Sequence, residues 1–217
     1  MIYDSAQRLQ ALDFTNVAES NEFATRLKRD LGASASNCLL CLLRAHSIHE
    51  EKEIFTEVHR FDPEIVKLMM AEHAEVAKRV RVLDTTCNDL MKVTDPARRI
   101  EVGDRLDLEA NDLFAFYLSH LNNEEATVVP IMWERFTDAQ LRTLRAKFYD
   151  NIPLPRFEEW MRWTLPALNL NELEVIFSGL KQDPGAARFK DWVRMAKQTL
   201  DPERWRALDR LVSLSIT

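Results

Sequence analysis

Nowhere along this chain do apolar residues run on for the roughly 18 positions that would span a membrane. They fall instead into segments separated by helix-capping residues. A first helical segment is predicted over residues 5–31, stopped by Gly32, a usual C-terminal signal. Residues 33–37 read as a turn that supplies N-cap candidates, and a second helix follows over residues 37–60. Asp62-Pro63 places an N-cap before a proline at the first helical position and opens a third helix, to about residue 93. Asp95-Pro96 repeats the device and opens a fourth, to about residue 129, where Pro130 is expected to end or kink it. The stripe Leu113, Phe114, Phe116, Tyr117 and Leu121 on that helix reads as core, part of it walling a dry pocket.

Beyond this point the segments shorten. Thr137-Asp138-Ala139-Gln140 has the form of a capping box. Pro153, Pro155 and Pro166 interrupt the next stretch, and Asn169, Asp183-Pro184 and Asp201-Pro202 look like further starts. The expected fold is therefore all-α. Residues 1–136 form an up-down four-helix bundle, and residues 137–217 form an extension of short helices packed on it. Trp160, Trp163, Trp192 and Trp205 all fall in the extension and are expected to pack it down, a partner surface being the alternative.

Composition narrows this only a little. Four Gly and eight Pro in 217 residues leave little material for sheet turns. A net charge of −6 argues against nucleic acid as a partner. The first ten residues lack the basic start and apolar run of a signal peptide, and three Cys do not read as a disulfide framework. A cytoplasmic protein with no membrane partner is expected. Cys38-Leu39-Leu40-Cys41 reads as two small core residues rather than a redox dithiol or half a zinc site. Lys78-Arg79 and Arg98-Arg99 read as solvated faces, and His59 as a cation at a helix end.

The candidate chemistry lies with the remaining histidines. The second helix carries His46 and Glu50, the fourth His120 and Glu124. A spacing of four puts imidazole and carboxylate one turn apart on one helix face, where both can grip one metal. The third helix offers His73. In an up-down bundle, residues equally far from a turn share a level. The midpoint of 46 and 73 falls near Asp62-Pro63, and that of 73 and 120 on Pro96, so the three histidines are expected at one level. Neither a Gly-rich phosphate loop, nor a nucleophile elbow, nor the Glu-x-x-His of ferritin-like diiron proteins is present.

The segment His46-Ser47-Ile48-His49-Glu50-Glu51-Lys52-Glu53-Ile54-Phe55 resembles the second-helix signature of hemerythrin-like, or HHE cation-binding, domains. His120-Leu121-Asn122-Asn123-Glu124, through to Pro130, is similar to the fourth-helix signature, and Ala71-Glu72-His73 to the third. The resemblance covers residues 10–136. The tail also looks like the extension of some bacterial members and of plant iron-sensing hemerythrin domains. It implies a non-haem diiron site with Glu50 and Glu124 as bridges and His46, His73 and His120 as terminal ligands.

Two departures qualify it. The family carries a first-helix His, whereas residues 1–37 contain none, and Glu22 in Glu22-Phe23-Ala24-Thr25-Arg26 stands in its place. Where closer relatives of true hemerythrins have another His, this chain has Ala77. Glu22 is thus a candidate ligand, and His49, Glu72 and Glu125 are candidates to support the ligands from behind. Two irons or one, with Mn or Zn tolerated, are the expected cofactors. Three functions stay open. The first is binding or sensing of O2 or NO, or of iron or redox state. The second is a metal-depleted interaction or regulatory scaffold. The third is a small diiron oxidase, or an enzyme reducing peroxide or NO.

Overall fold

In the computed structural model the chain is all-helical, with no strand among the described residues, which are 2–28, 39–150, 152–182 and 188–214. No described helix is long and apolar enough to cross a membrane. The chain divides into two compact units, residues 1–144 and 145–217.

The first unit begins with a difference from expectation. In place of one helix over residues 5–31 there are two, α1 (Ile2–Gln10) and α2 (Val17–Lys28). The reason is local. Asp13 accepts from the Thr15 backbone N–H (2.8 Å) and hydroxyl (2.7 Å), which draws the chain out of the helix. Asn16 then caps α2, accepting from Glu19 N–H while its amide donates to the Glu19 carboxylate. The predicted turn over residues 33–37, and Cys38, lie outside the described residues. So does the side chain of Cys41.

Next come α3 (Leu39–His49), α4 (Pro63–Lys92) and α5 (Pro96–Arg135). The two Asp-Pro devices start α4 and α5. Asp62 accepts from Ile65 N–H at 3.0 Å and Asp95 from Arg98 N–H at 2.8 Å. Pro130 does not end α5, which continues to Arg135. A proline inside a helix costs about 3 kcal/mol. Here Val128, Ile131 and Met132, on either side of it, pack against Phe55, Val58, Val66 and Met69, and that burial holds the helix together.

The second departure is at the end of α3. The backbone widens into a π-helical turn over Glu50–Phe55, followed by a last α turn over Thr56–Val58. The Thr56 hydroxyl donates back to the Lys52 (3.0 Å) and Glu51 (3.2 Å) carbonyls, which lie in that widened turn.

Two apolar clusters fill this unit. The larger gathers Leu9, Phe23, Leu27, Leu43, Leu83, Leu106, Leu113 and Tyr117 from α1 to α5. The smaller joins Phe55, Val58, Val66, Met69 and Val128. On each of α3, α4 and α5 the candidate ligands lie between residues of the one and residues of the other.

Arg99 is not on a solvated face. It is 1% exposed, and all five of its N–H donors are used. Nε donates to Phe14 O (2.8 Å), Nη1 to Leu90 O (2.8 Å) and Val93 O (2.7 Å), and Nη2 to Ser20 Oγ and Asn21 Oδ1. It thereby ties the C-terminus of α4 and the loop before α2 to α5. The neighbouring Gly103 lets Phe14 lie flat on α5, because a Cβ there would overlap its ring. Arg79, also expected to be solvated, is half-buried, paired with Glu75 and Asp112 and lying over the Phe116 ring.

Helix α6 (Asp138–Asp150) runs across the division between the units, so the compact units do not part at Thr137. Its start is the expected capping box, with Thr137 N–H donating to Gln140 Oε1 at 2.8 Å. The second unit holds α7 (Leu154–Ala167), α8 (Leu170–Gln182), α9 (Phe189–Thr199) and α10 (Pro202–Val212). Asn169 and Asp201 cap α8 and α10. Asp183-Pro184 lies outside the described residues. Pro166 is accommodated in the last turn of α7 rather than breaking it. Trp192 is buried edge-on to Phe157 and Phe177, Trp160 is buried, and Trp163 is 42% exposed.

Candidate metal centre

The polar layer of the first unit is assembled from three helices. His46 comes from α3, Glu50 from the first residue of the π turn, His73 from the middle of α4, and His120 and Glu124 from successive turns of α5. One ligand atom from each of His46, Glu50, His120 and Glu124 fits within a 4.8 Å group, brought together with no ion present. His73 adjoins it, with Nε2 3.2 Å from His120 Nε2 and 3.4 Å from Glu50 Oε2.

What orients these rings lies on their outer side. His120 Nδ1 is 2.8 Å from Glu72 Oε2, and Glu72 Oε1 in turn accepts from Asn123 Nδ2 at 2.9 Å. His73 Nδ1 is 2.9 Å from Glu51 Oε1, and Phe55 stacks on its ring. A carboxylate accepts only, so in each pair Nδ1 carries a proton, and in the neutral ring the lone pair is then on Nε2. Two such lone pairs then face each other at 3.2 Å, an arrangement that repels unless a cation, proton or metal, sits between them.

The inner atoms tell the same story. His46 Nε2 lies 2.8 Å from Glu50 Oε1 and 4.0 Å from Glu124 Oε2. Yet neither His46 Nε2 nor Glu50 Oε2 has a hydrogen bond of acceptable geometry, although both atoms are buried. The outer nitrogens of His73 and His120 are satisfied by protein and these two inner atoms are not, which is the pattern of a ligand set with its supporting carboxylates.

Electrostatics follow from crowding two carboxylates among imidazoles. Burial alone would raise the Glu50 carboxyl, but the His46 and His73 rings beside it overcome that and hold it well below its ordinary value. Burial, with the Glu50 charge second, pushes Glu124 up. His73 is raised, because Glu50 and Glu51 outweigh its burial, while burial holds His120 down. One carboxylate is thus firmly ionised, and its neighbours share the protons that a cation would replace. Tyr117, beside His46 and His120, has its phenol raised by burial and then by both carboxylates, so it stays neutral.

The structure does not bring Glu22 to this layer. Its side chain is 63% exposed and paired with Arg26 at 2.6 Å. Counting from the turn fixes height along a helix but not rotation about it. In α2 the inward positions are Ser20, Phe23, Ala24 and Leu27. His49 ends α3 half-buried and supplies no atom to the four-residue group; Glu125 is exposed. Glu51 is the residue that sequence reasoning passed over. Neighbouring residues on an α-helix diverge by about 100°, so a regular helix would not turn both Glu50 and Glu51 toward one ring. The π turn lets both reach His73.

No family model matches the chain, and no curated protein or solved structure matches it.

Proposed function

We propose that this protein binds a non-haem metal, iron first, in the layer formed by His46, Glu50, His73, His120 and Glu124. One observation carries the reading. Glu51 and Glu72 engage Nδ1 of His73 and His120, so that the two Nε2 atoms converge at 3.2 Å beside the buried Glu50 carboxylate. Three imidazoles and two carboxylates suit iron and tolerate Mn or Zn. The hemerythrin-like resemblance agrees with this donor set and supports two irons, with Glu50 and Glu124 as bridges. The role that fits is binding or sensing of a small diatomic ligand, O2 or NO, or of iron or redox state.

The test is anaerobic Fe(II) loading, desalting, elemental analysis and an absorption spectrum. Near-stoichiometric metal is expected, and lost in a His46→Ala/His120→Ala variant whose circular dichroism remains helical. A parent protein that retains no metal overturns the proposal.

A second reading has its own observation. Glu22 is exposed, and both buried imidazoles already have protein partners at Nδ1. That is what a metal-free helical scaffold would show. It requires that no divalent metal raise the melting temperature.

A further inference from the structure

Beside the polar layer, α3 and α4 leave a groove of about 640 Å³ between them, within the range of small-ligand sites. Its walls come from one face of each helix. Residues 44, 47, 48 and 51 line one side, and 70, 73, 74, 77, 80, 81 and 84 the other. The helices run antiparallel about Asp62, so residues whose numbers sum to about 125 share a level. Arg44 therefore stands near Arg81 at one end, Ile48 near Ala74 and Ala77 in the middle, and Glu51 near His73 at the other.

Charge is distributed unevenly along it. Arg44 and Arg81 are both exposed at the first end, and neither has an ion-pair partner among the described residues. Asp84 lies at the same end, giving two cations against one anion, a local charge of +1. The middle is apolar and carries no charge; Ile48 is 52% exposed there. From residue 44 to residue 51 the groove is about 10 Å long, at 1.5 Å per residue.

We infer that this groove binds a small amphipathic monoanion, its carboxylate held by Arg44 and Arg81 and its apolar body lying along Ile48, Ala74 and Ala77. Guanidinium forks match a carboxylate in shape as well as charge. The exposed apolar surface between the arginines and His73 is what an alkyl or aryl tail would cover. The far end of the groove is the Glu51–His73 pair, so an occupant lies against the support of the metal layer without entering it.

The test uses the full chain, stripped of metal by a chelator, so its outcome is separate from that of the metal reading. Octanoate is titrated by calorimetry, with octylamine as the opposite-charge probe of equal tail. Saturable octanoate binding is expected, with octylamine failing to saturate. An Arg44→Gln/Arg81→Gln variant, which keeps a polar side chain while removing the guanidinium and its charge, is expected to bind about tenfold more weakly or worse. Ala77→Trp, which fills the middle of the groove, is expected to abolish binding while the thermal melt stays cooperative. Absence of saturable octanoate binding overturns the inference. So does octylamine binding as tightly, or an Arg44→Gln/Arg81→Gln variant with parental affinity.

Discussion

Glu72→Gln asks the sharpest question of the metal layer. Glu72 touches none of the converging inner atoms. Its role is to accept the His120 Nδ1 proton at 2.8 Å, with His120 wholly buried and Glu72 itself only 15% exposed. Glutamine keeps the shape and one acceptor but loses the charge, and its amide can offer Nδ1 a donor instead. When Nε2 holds a divalent ion, the imidazole is polarised and the carboxylate opposite it gains strength. Losing such a partner lowers metal affinity about 10- to 100-fold, or about 1.4–2.7 kcal/mol. Competitive titration of Fe(II) or Zn(II) against a chromogenic chelator reads this directly. Glu125→Gln is the control, since Glu125 is exposed on α5, the helix that carries His120. The reasoning is refuted if Glu72→Gln binds within about twofold of the parent. It fails equally if Glu125→Gln costs as much, because a change in net charge alone would then explain both.

Other outcomes follow from the same geometry. In the metal-free protein, His73 and Glu124 titrate above their ordinary values of 6.5 and 4.5, against the opposite shift of His120. A raised folded pKa gives stability that is present at low pH and lost as pH rises through it, so the melting temperature should fall between about pH 4.5 and 7, the window set by Glu124. Bound metal should remove that slope, and a metal-free melting temperature that rises across this range would refute the assignment. Arg99→Met leaves a buried carbonyl at Leu90 and part-buried ones at Phe14 and Val93 without donors and should cost about 3–5 kcal/mol in calorimetric unfolding. Arg99→Lys, with three donors for five acceptors, should recover only part of it; a loss below about 1 kcal/mol for the Met variant would show the carbonyls to be rehydrated. Gly103→Ala pushes a methyl into the Phe14 ring and should cost about 1–3 kcal/mol, an effect that Phe14→Ala in the same chain should suppress.

The parts of this fold that could be read from sequence are those set by short-range chemistry with one geometric solution. Asp62-Pro63, Asp95-Pro96, Thr137-Gln140, Asn169 and Asp201 each cap a helix as expected, because each side chain takes backbone N–H groups within three residues of it. His46, Glu50, His73, His120 and Glu124 come together because i,i+4 spacing fixes a face and turn counting fixes a height. Glu22 shows where that arithmetic stops, since height says nothing of rotation and α2 turns its alanine and leucine inward. Arg99 was illegible for a different reason. Its acceptors are backbone carbonyls and two α2 residues distant in sequence, and no pattern of side chains announces them. The break between α1 and α2 is written in Leu12-Asp13-Phe14-Thr15-Asn16, where Asp13 and Asn16 take backbone N–H groups of Thr15 and Glu19. The π turn has no such signal, and with it went Glu51.

The distribution of satisfied and unsatisfied atoms favours a resident cation over a decayed site. A polar layer between two apolar clusters is costly. Burying each polar group without a partner costs about 1–3 kcal/mol, and apolar residues of the same volume would be no worse and often better. If the layer were only a remnant, its inner and outer atoms should be satisfied alike, or the layer should have relaxed toward protein partners. Instead Glu51 and Glu72 take the outer nitrogens, whereas His46 Nε2 and Glu50 Oε2 are left buried without one. The outer nitrogens of His73 and His120 are satisfied by protein, whereas His46 Nε2 and Glu50 Oε2 belong to the group whose ligand atoms lie within 4.8 Å of one another. A single divalent ion there would answer all of them at once, and its binding energy would then be part of the folding energy of the unit.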